Sequence, residues 1–469
     1  MSVNLFPEEF IQRITAQEYI DSEAILLALR EPSPVSIRIN QGKWNKQPVD
    51  AEPVPWCRNG FYLASRPSYT LDPLFHSGCY YPQEASGMFL EQVLLQTAGP
   101  LKNIRMLDLC GAPGGKSTLL SDMAGPDNLL VANEVIRSRA SILAETITKW
   151  GSGNTMVTRS DPAVFGRFPG YFDIILVDAP CSGEGMFRTD IAVSEWSAEN
   201  TVLCAERQKR ILMDIWPSLK ENGILIYSTC TFNPGENEEN IRWLSSRKET
   251  ECIRMNLKSF EGITEIDYHG IYGYGFYPDK LKGEGFFISA IRKTARQEQM
   301  QPRSPLPQEL RPRKSDLAVA ADWTNFRGDR ILKWKDEIIA LPCEIEEYSY
   351  LYRNLKVVKP GTKISVKKQN DNIPSHELSL STSLKRDLFP TKEIRLDEAI
   401  SFLRRDNFNI GNMSTGWNIL TYNGINLGFV KNLGSRFNNY FPVEWRIRLD
   451  ASAIRQANRI SWFEQSDTI

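Results

Sequence analysis

The chain has 469 residues, 41% of them hydrophobic and 24% charged, with a net charge of −1, which is the composition of a globular protein of two to four domains. No apolar run reaches the ~18 residues of a membrane span. The first twenty residues carry Glu8, Glu9 and Glu18 without the basic start and apolar run of a signal peptide, so the expected location is the cytoplasm, with no membrane partner. Eight cysteines without a CxxC pair, and only three histidines (His76, His269 and His376), exclude a disulfide scaffold and predict no metal site. Most of the cysteines are expected to be buried small hydrophobes. Nothing indicates a coiled coil or an obligate protein partner.

In chain order, residues 10–29 have helical spacing at Ile11, Ile14, Tyr19, Ile20, Ile25, Leu26 and Leu29, and Pro32 and Pro34 end that pattern. Residues 35–39 alternate like a strand, which makes 1–75 a small α/β unit. From 76 to 293, strand patterns at 104–109, 129–133, 155–158, 172–178, 223–229 and 286–291 alternate with helical stretches such as 137–150 and 201–219. That alternation predicts a doubly wound parallel α/β sheet, whose ligands bind at the carboxyl ends of the strands.

Residues 294–318 read as a linker, with Pro302, Pro305, Pro307 and Pro312 among polar residues. Beyond it the pattern is β-rich, with strands expected at 356–359, 363–367 and 417–422 and a hairpin turn at Asn423-Gly424. It divides into an intermediate region (319–390) and a C-terminal region (391–469). Charge is uneven: residues 1–290 carry net −9 and residues 291–469 carry net +8, which points to a polyanionic partner for the C-terminal third. Solvated faces of differing sign are the alternative.

The stretch MLDLCGAPGGKS at 106–117 ends a strand and opens a helix. Its glycines admit a ligand close to the backbone, and a helix N-terminus favours negative charge. A nucleotide triphosphate in a P-loop fits poorly, because Gly111 and Gly115 enclose three residues where that motif needs four. S-adenosylmethionine fits, its carboxylate meeting the loop of Cys110, Gly111, Ala112, Pro113, Gly114, Gly115 and Lys116. Glu134 follows the next strand and can accept from the ribose hydroxyls; Asp161 follows the third and can accept from the adenine amino group. A plain strand-turn-helix with surface acids is the alternative.

Two more strands end in cysteine motifs, IILVDAPCSGEG at 174–185 and ILIYSTC at 224–230. Cys181 and Cys230 therefore emerge at one sheet edge beside the expected cofactor; two structural cysteines there would be coincidence. Paired thiols suit methylation at carbon-5 of cytosine. A thiolate adds to carbon-6, carbon-5 then attacks a sulfonium methyl, and a base removes the carbon-5 proton. Asp178 is placed to contact the base or that proton. The target base must leave its stack, and the loop 182–188, with Phe187 and Arg188, is a candidate to hold it. Core packing of Phe187 is the competing expectation.

These motifs, with SIRIN at 36–40 and YPQEAS at 81–86, closely resemble the Nop/Sun family of RNA 5-methylcytosine methyltransferases. The resemblance runs through about 36–293 and implies a Rossmann-like class I methyltransferase domain. It further implies that Cys230 is the nucleophile, that Cys181 assists product release, and that residues 110–116, Glu134, Asp161 and Asp178 bind S-adenosylmethionine. Lys116 and Asp178 are then contributors to catalysis. Gly111 stands where the family loop commonly has alanine. WNILTYNGINLG at 417–428 and FNNYFP at 437–442 are similar to the PUA-like RNA-binding domain of a bacterial small-subunit ribosomal RNA methyltransferase subfamily, the F type. By that analogy the partner is 16S ribosomal RNA or the 30S subunit, and the first 75 residues also serve RNA binding. A transfer-RNA cytosine methyltransferase and an NTP-binding ribosome-assembly factor remain alternatives.

Overall fold

Successive residues of the apolar stretches face opposite sides of one sheet. Met106, Leu130, Ile174 and Ile224 belong to a core on one face, while Leu107, Val131, Ile175 and Leu225 belong to a core on the other. Strands buried on both sides are what a parallel sheet covered by helices requires. The computed structural model describes residues 5–99, 101–369, 371–385, 387–449 and 457–463. The outermost parts of the units expected at 1–75 and 391–469 (1–4, 450–456 and 464–469) lie outside the described residues.

Strands Thr155–Thr158, Leu129–Asn133, Arg105–Asp108, Phe172–Asp178 and Leu219–Thr229 lie side by side in that order, all parallel. Phe286–Lys293 continues the sheet antiparallel to Leu219–Thr229, followed by Ile271–Phe276 and Thr264–Tyr268. Leu119 and Leu120 of helix Gly115–Ala124 pack on the first face; Ile211, Leu212 and Ile215 of helix Ala198–Ile215 pack on the second. The expected α/β sheet is thus present and parallel over five strands, but the strand expected at 286–291 runs antiparallel to them.

Four further details differ from the sequence pattern. The helix expected over 10–29 is two, Glu8–Thr15 and Ser22–Ala28, because extended Asp21 caps the second through Ala24 N at 3.1 Å. Strand Tyr80–Pro82 pairs with Val35–Ile39 in the N-terminal sheet, so a boundary at residue 75 falls inside that sheet. Helix Lys314–Trp323 begins inside the stretch expected to be linker, with Asp316 Oδ2 capping Arg313 N at 2.9 Å. Strand Val357–Lys359 leaves the intermediate region and adds antiparallel to Thr155–Thr158 at the edge of the central sheet. The rest of that region has its own four strands within 331–374. In the C-terminal sheet, Asn423 and Gly424 both have positive φ, as a type I′ hairpin turn demands.

The SIRIN stretch docks the N-terminal sheet onto helices Gly115–Ala124 and Arg137–Trp150. Buried Arg38 bonds Asp122 Oδ2 at 2.6 Å, Gln83 Oε1 at 2.9 Å and Thr118 Oγ1 at 2.5 Å, and stacks on Trp150 at 4.5 Å. Asn40 Nδ2 donates to Gly78 O and Trp150 O, both at 2.9 Å. Gly78 has φ +71° and lies so close to Lys149 O that no Cβ fits.

Three units meet at two buried histidines. His376 stacks edge-on against Phe441 at 5.0 Å and Trp445 at 5.5 Å, and His76 lies 6.3 Å from the Phe441 ring. Burial, with the Lys149 charge behind it, holds both imidazoles down at about 3. Their folded-state values lie below the unfolded value of about 6.5. The contribution of the neutral rings is therefore complete above pH 6.5 and is lost as pH falls toward 3. Each histidine is expected to remove about 1.4 kcal/mol of stability per pH unit over that window. Denaturant titrations at pH 7, 6 and 5 should show His376→Leu losing one histidine's share of the slope; an unchanged slope would contradict the buried neutral state.

Candidate active site

The cofactor loop begins where Arg105–Asp108 leaves the sheet. Gly114, with φ +119°, turns the chain into helix Gly115–Ala124, and a Cβ there would sit 2.6 Å from Thr146 Cγ2. Neighbours hold the loop backbone. Gly111 N donates to Asn133 O at 2.7 Å, Arg139 Nη2 to Ala112 O at 3.0 Å, and Thr146 Oγ1 to Pro113 O at 2.8 Å. Cys110 is half-buried, and burial followed by the nearby carboxylates of Asp108, Asp178 and Glu134 pushes its thiol up. A thiol kept neutral serves as loop wall rather than nucleophile.

Glu134, buried just past the second parallel strand, accepts from Ile136 N at 2.9 Å and faces Arg139 Nη2 at 3.4 Å. Asp161 is exposed past the third strand and caps the short helix Pro162–Phe165 through Ala163 N at 3.0 Å. Asn133 ties these strand ends together. Its Nδ2 donates to Leu109 O and Ser160 O, both at 3.0 Å, and its Oδ1 accepts from Thr158 Oγ1 at 2.9 Å and Ser160 N at 2.8 Å.

Asp108 has a distinct environment. Its Oδ2 accepts from Ser117 Oγ at 2.6 Å, while its buried Oδ1 has no hydrogen-bond partner. Burial, with the Asp178 charge adding to it, raises this carboxyl to about 7 despite the Ser117 bond. An orphaned buried acceptor beside a glycine loop suits the ammonium of a bound amino acid moiety, so the residues present fit S-adenosylmethionine.

The residues that the sequence expects to react follow the next two strands. Asp178 pairs with Ser228 in parallel register, and Ala179 N donates to Ser228 O at 2.8 Å. That register brings Cys181 and Cys230 together, Sγ to Sγ 3.1 Å, and Cys230 N donates to Cys181 Sγ at 3.3 Å. The bond to Cys230, followed by burial, pushes the Cys181 thiol well up, so it stays protonated at neutral pH. Asp178 Oδ2 accepts from Lys116 Nζ at 2.9 Å and Oδ1 from Ser228 Oγ at 2.7 Å. Burial would lower Lys116, but the charge of and bond to Asp178 outweigh it and keep the ammonium.

Of the other cysteines, Cys57, Cys79, Cys204 and Cys343 are buried. The loop 182–188 does not offer its aromatic to a base. Phe187 packs with Phe6, Phe10 and Trp196 in the core under the N-terminal helices. Arg188 is bound to Gly283 O at 2.9 Å and Glu284 at 3.2 Å. Phe6 and Phe10 of the N-terminal segment occupy the Phe187 ring.

Three family models match the chain in tandem: the N-terminal domain of 16S rRNA methyltransferase RsmF over residues 6–85, 16S rRNA methyltransferase RsmB/F over 95–292, and the methyltransferase RsmF PUA domain over 389–447. The ribosomal RNA small subunit methyltransferase F of Pectobacterium atrosepticum is 30% identical, over 96% of this chain and 97% of its own. The chain belongs to the ribosomal RNA small subunit methyltransferase F family. The Enterobacter sp. member is also 30% identical, over 94% of this chain and 95% of its own. A methyltransferase homolog from Pyrococcus horikoshii superposes with a TM-score of 0.52 at 28% identity, over 61% of this chain and 95% of its own. NSun6 from Pyrococcus horikoshii, solved with SFG, shares the fold with a TM-score of 0.51 at 19% identity, over 62% of this chain and 99% of its own.

This family member is an S-adenosylmethionine-dependent methyltransferase. Its fold gathers the residues picked out by sequence at one edge, and adds Asp108, Asn133 and Ser228, which sequence reasoning passed over. Asp108 lay inside the quoted motif and only its burial distinguishes it. The Gly114 turn shapes the loop that the sequence assigns to the methyl donor. Gly114→Ala forces a side chain into a left-handed backbone against Thr146, a strain of about 1–3 kcal/mol. Calorimetry should show S-adenosylmethionine affinity falling about tenfold or more, while Gly99→Ala, in open space, leaves it unchanged. Equal affinity for both variants would remove the loop from the cofactor site.

Proposed function

We propose that this enzyme methylates carbon-5 of a cytosine in 16S ribosomal RNA through a covalent bond between Cys230 and carbon-6. The observation that carries the reading is the Cys181–Cys230 pair at 3.1 Å, beside the Lys116–Asp178 pair at 2.9 Å, at the cofactor edge. S-adenosylmethionine, held by residues 110–116, Glu134, Asp161 and Asp178, supplies a methyl group activated by its sulfonium.

Cys230 gives up its thiol proton to solvent and adds as the thiolate to carbon-6, which makes carbon-5 nucleophilic. The Lys116 ammonium, with Cys230 among the groups that favour its charge, offsets the negative charge in this pocket. Asp178, anchored by Ser228 and Lys116, orients that ammonium and is placed, directly or through water, to take the carbon-5 proton after methylation. Loss of that proton restores the ring and expels Cys230 as thiolate. Cys181, protonated and bonded to Cys230, assists this departure by donating its hydrogen bond to the leaving sulfur.

Three features support ribosomal RNA as substrate: the family, the PUA match over 389–447, and the net +8 of residues 291–469, whose lysines and arginines suit phosphates. We place the enzyme in the cytoplasm with that RNA; no helix among the described residues is long and apolar enough to cross a membrane.

Labelled methyl transfer to unmodified 16S RNA, 30S particles and bulk transfer RNA tests the reading. Label is expected as 5-methylcytosine in 16S RNA, free or in 30S particles, and is lost in Cys230→Ala. Cys181→Ala is expected to accumulate an RNA–protein adduct. Label in transfer RNA alone would overturn the substrate, and activity in Cys230→Ala would overturn the nucleophile.

A further inference from the structure

The segment after Cys230 runs through a turn, Pro234–Glu236, into helix Glu238–Ser245. Two adjacent residues there reach both cysteine loops. Glu236 Oε2 accepts from Ser182 N at 2.9 Å and from Gln208 Nε2 at 3.0 Å, and Gln208 Nε2 also donates to Pro180 O at 3.0 Å. Pro180 and Ser182 flank Cys181, so one carboxylate–amide pair holds the chain on both sides of that thiol.

Asn237 does the same for the other thiol. Its Oδ1 accepts from Thr229 Oγ1 at 2.5 Å and its Nδ2 donates to Thr231 O at 2.9 Å. Thr229 and Thr231 flank Cys230. The two loops are joined by Ser182 Oγ and Thr231 Oγ1 at 2.9 Å. Tyr227 hydroxyl donates to Glu236 O at 2.5 Å and Asn240 Nδ2 to Gln208 Oε1 at 2.7 Å, so the clamp is itself held. Gln208, Glu236, Asn237 and Asn240 are all buried, where such bonds are hard to replace with water.

We propose that Glu236 and Asn237 are the positioning residues of the two thiols, Asn237 setting Cys230 for attack and Glu236, with Gln208, setting Cys181 for release. The inference rests on the two-cysteine reading above. Each side chain spans the residues on either side of one cysteine, so losing it frees that thiol while the other stays placed. Misplacement by about 1 Å costs on the order of 100-fold in rate.

Full-length variants assayed on 16S RNA test this, alongside Cys181→Ala and Cys230→Ala. Glu236→Ala is expected to form adduct but to release it slowly, with turnover down about 100-fold. Glu236→Gln keeps an acceptor oxygen for Ser182 and Gln208 and is expected to release adduct within a few-fold of wild type. Asn237→Ala is expected to lose single-turnover methyl transfer by about 100-fold without accumulating adduct. Binding of S-adenosylmethionine and RNA should stay within twofold in all of them. Should Glu236→Ala fail to fold, Gln208→Met cuts the same clamp and must show the same adduct. If Cys181→Ala accumulates adduct while Glu236→Ala and Gln208→Met do not, the positioning role is overturned and the two-cysteine reading stands. If Cys181→Ala gives no adduct, both fall. Equal adduct levels in Glu236→Ala and Asn237→Ala would overturn the division of labour.

Discussion

The parallel register between Phe172–Asp178 and Leu219–Thr229 is the constraint on which the site depends. Asp178 lies opposite Ser228, so the two chains leave the sheet together and their cysteines meet three and two residues later. A slip of one residue would turn every side chain of one strand to the other face. Here both faces are buried, with Ile174 and Leu176 in one core and Ile175 and Val177 in the other, so register and core packing enforce each other. The thiol contact is thus a consequence of hydrophobic burial some distance below it.

Electrostatics at the same edge has a single pivot. Asp108 and Asp178 repel each other in a buried place, and Lys116 lies among both. Lys116 gives its hydrogen bond to Asp178, which leaves Asp108 the carboxyl that burial can raise. One ammonium therefore gives two chemically identical side chains different surroundings, Asp178 bonded by Lys116 and Ser228 and Asp108 left with an unfilled oxygen, a division that environment rather than residue type produces.

The flanking regions bear on this edge. Arg38 and Asn40 fasten the N-terminal sheet to the helices Gly115–Ala124 and Arg137–Trp150 that frame the cofactor loop. On the far side, Val357–Lys359 covers the open edge strand, which would otherwise present unpaired backbone groups. From there a chain of hydrogen bonds runs inward: Lys356 N to Ser160 Oγ at 3.0 Å, Ser160 to Asn133, and Gly111 N to Asn133 O at 2.7 Å. The intermediate region is connected to the cofactor loop by backbone and short polar side chains, which are stiff connectors.

Local pattern alone determined the strand–helix alternation, the strands 129–133, 155–158 and 172–178, the helix 137–150, the hairpin at Asn423-Gly424 and the glycine loop, because period, glycine and turn chemistry act over a few residues. It also placed Cys110, Glu134, Asp161, Asp178, Cys181 and Cys230 at strand ends, and Lys116 at the start of the helix that follows one, since the carboxyl edge of a parallel sheet follows from the alternation itself. Only the tertiary structure decided the rest. Phe187 went to the core because Phe6 and Phe10, nearly two hundred residues away, supply its partners. Strand Val357–Lys359 was legible as a strand, but it went to a foreign sheet because local pattern names no pairing partner. Glu236, Asn237 and Asp108 became exceptional through burial and through bonds to distant chain, which no window of sequence contains.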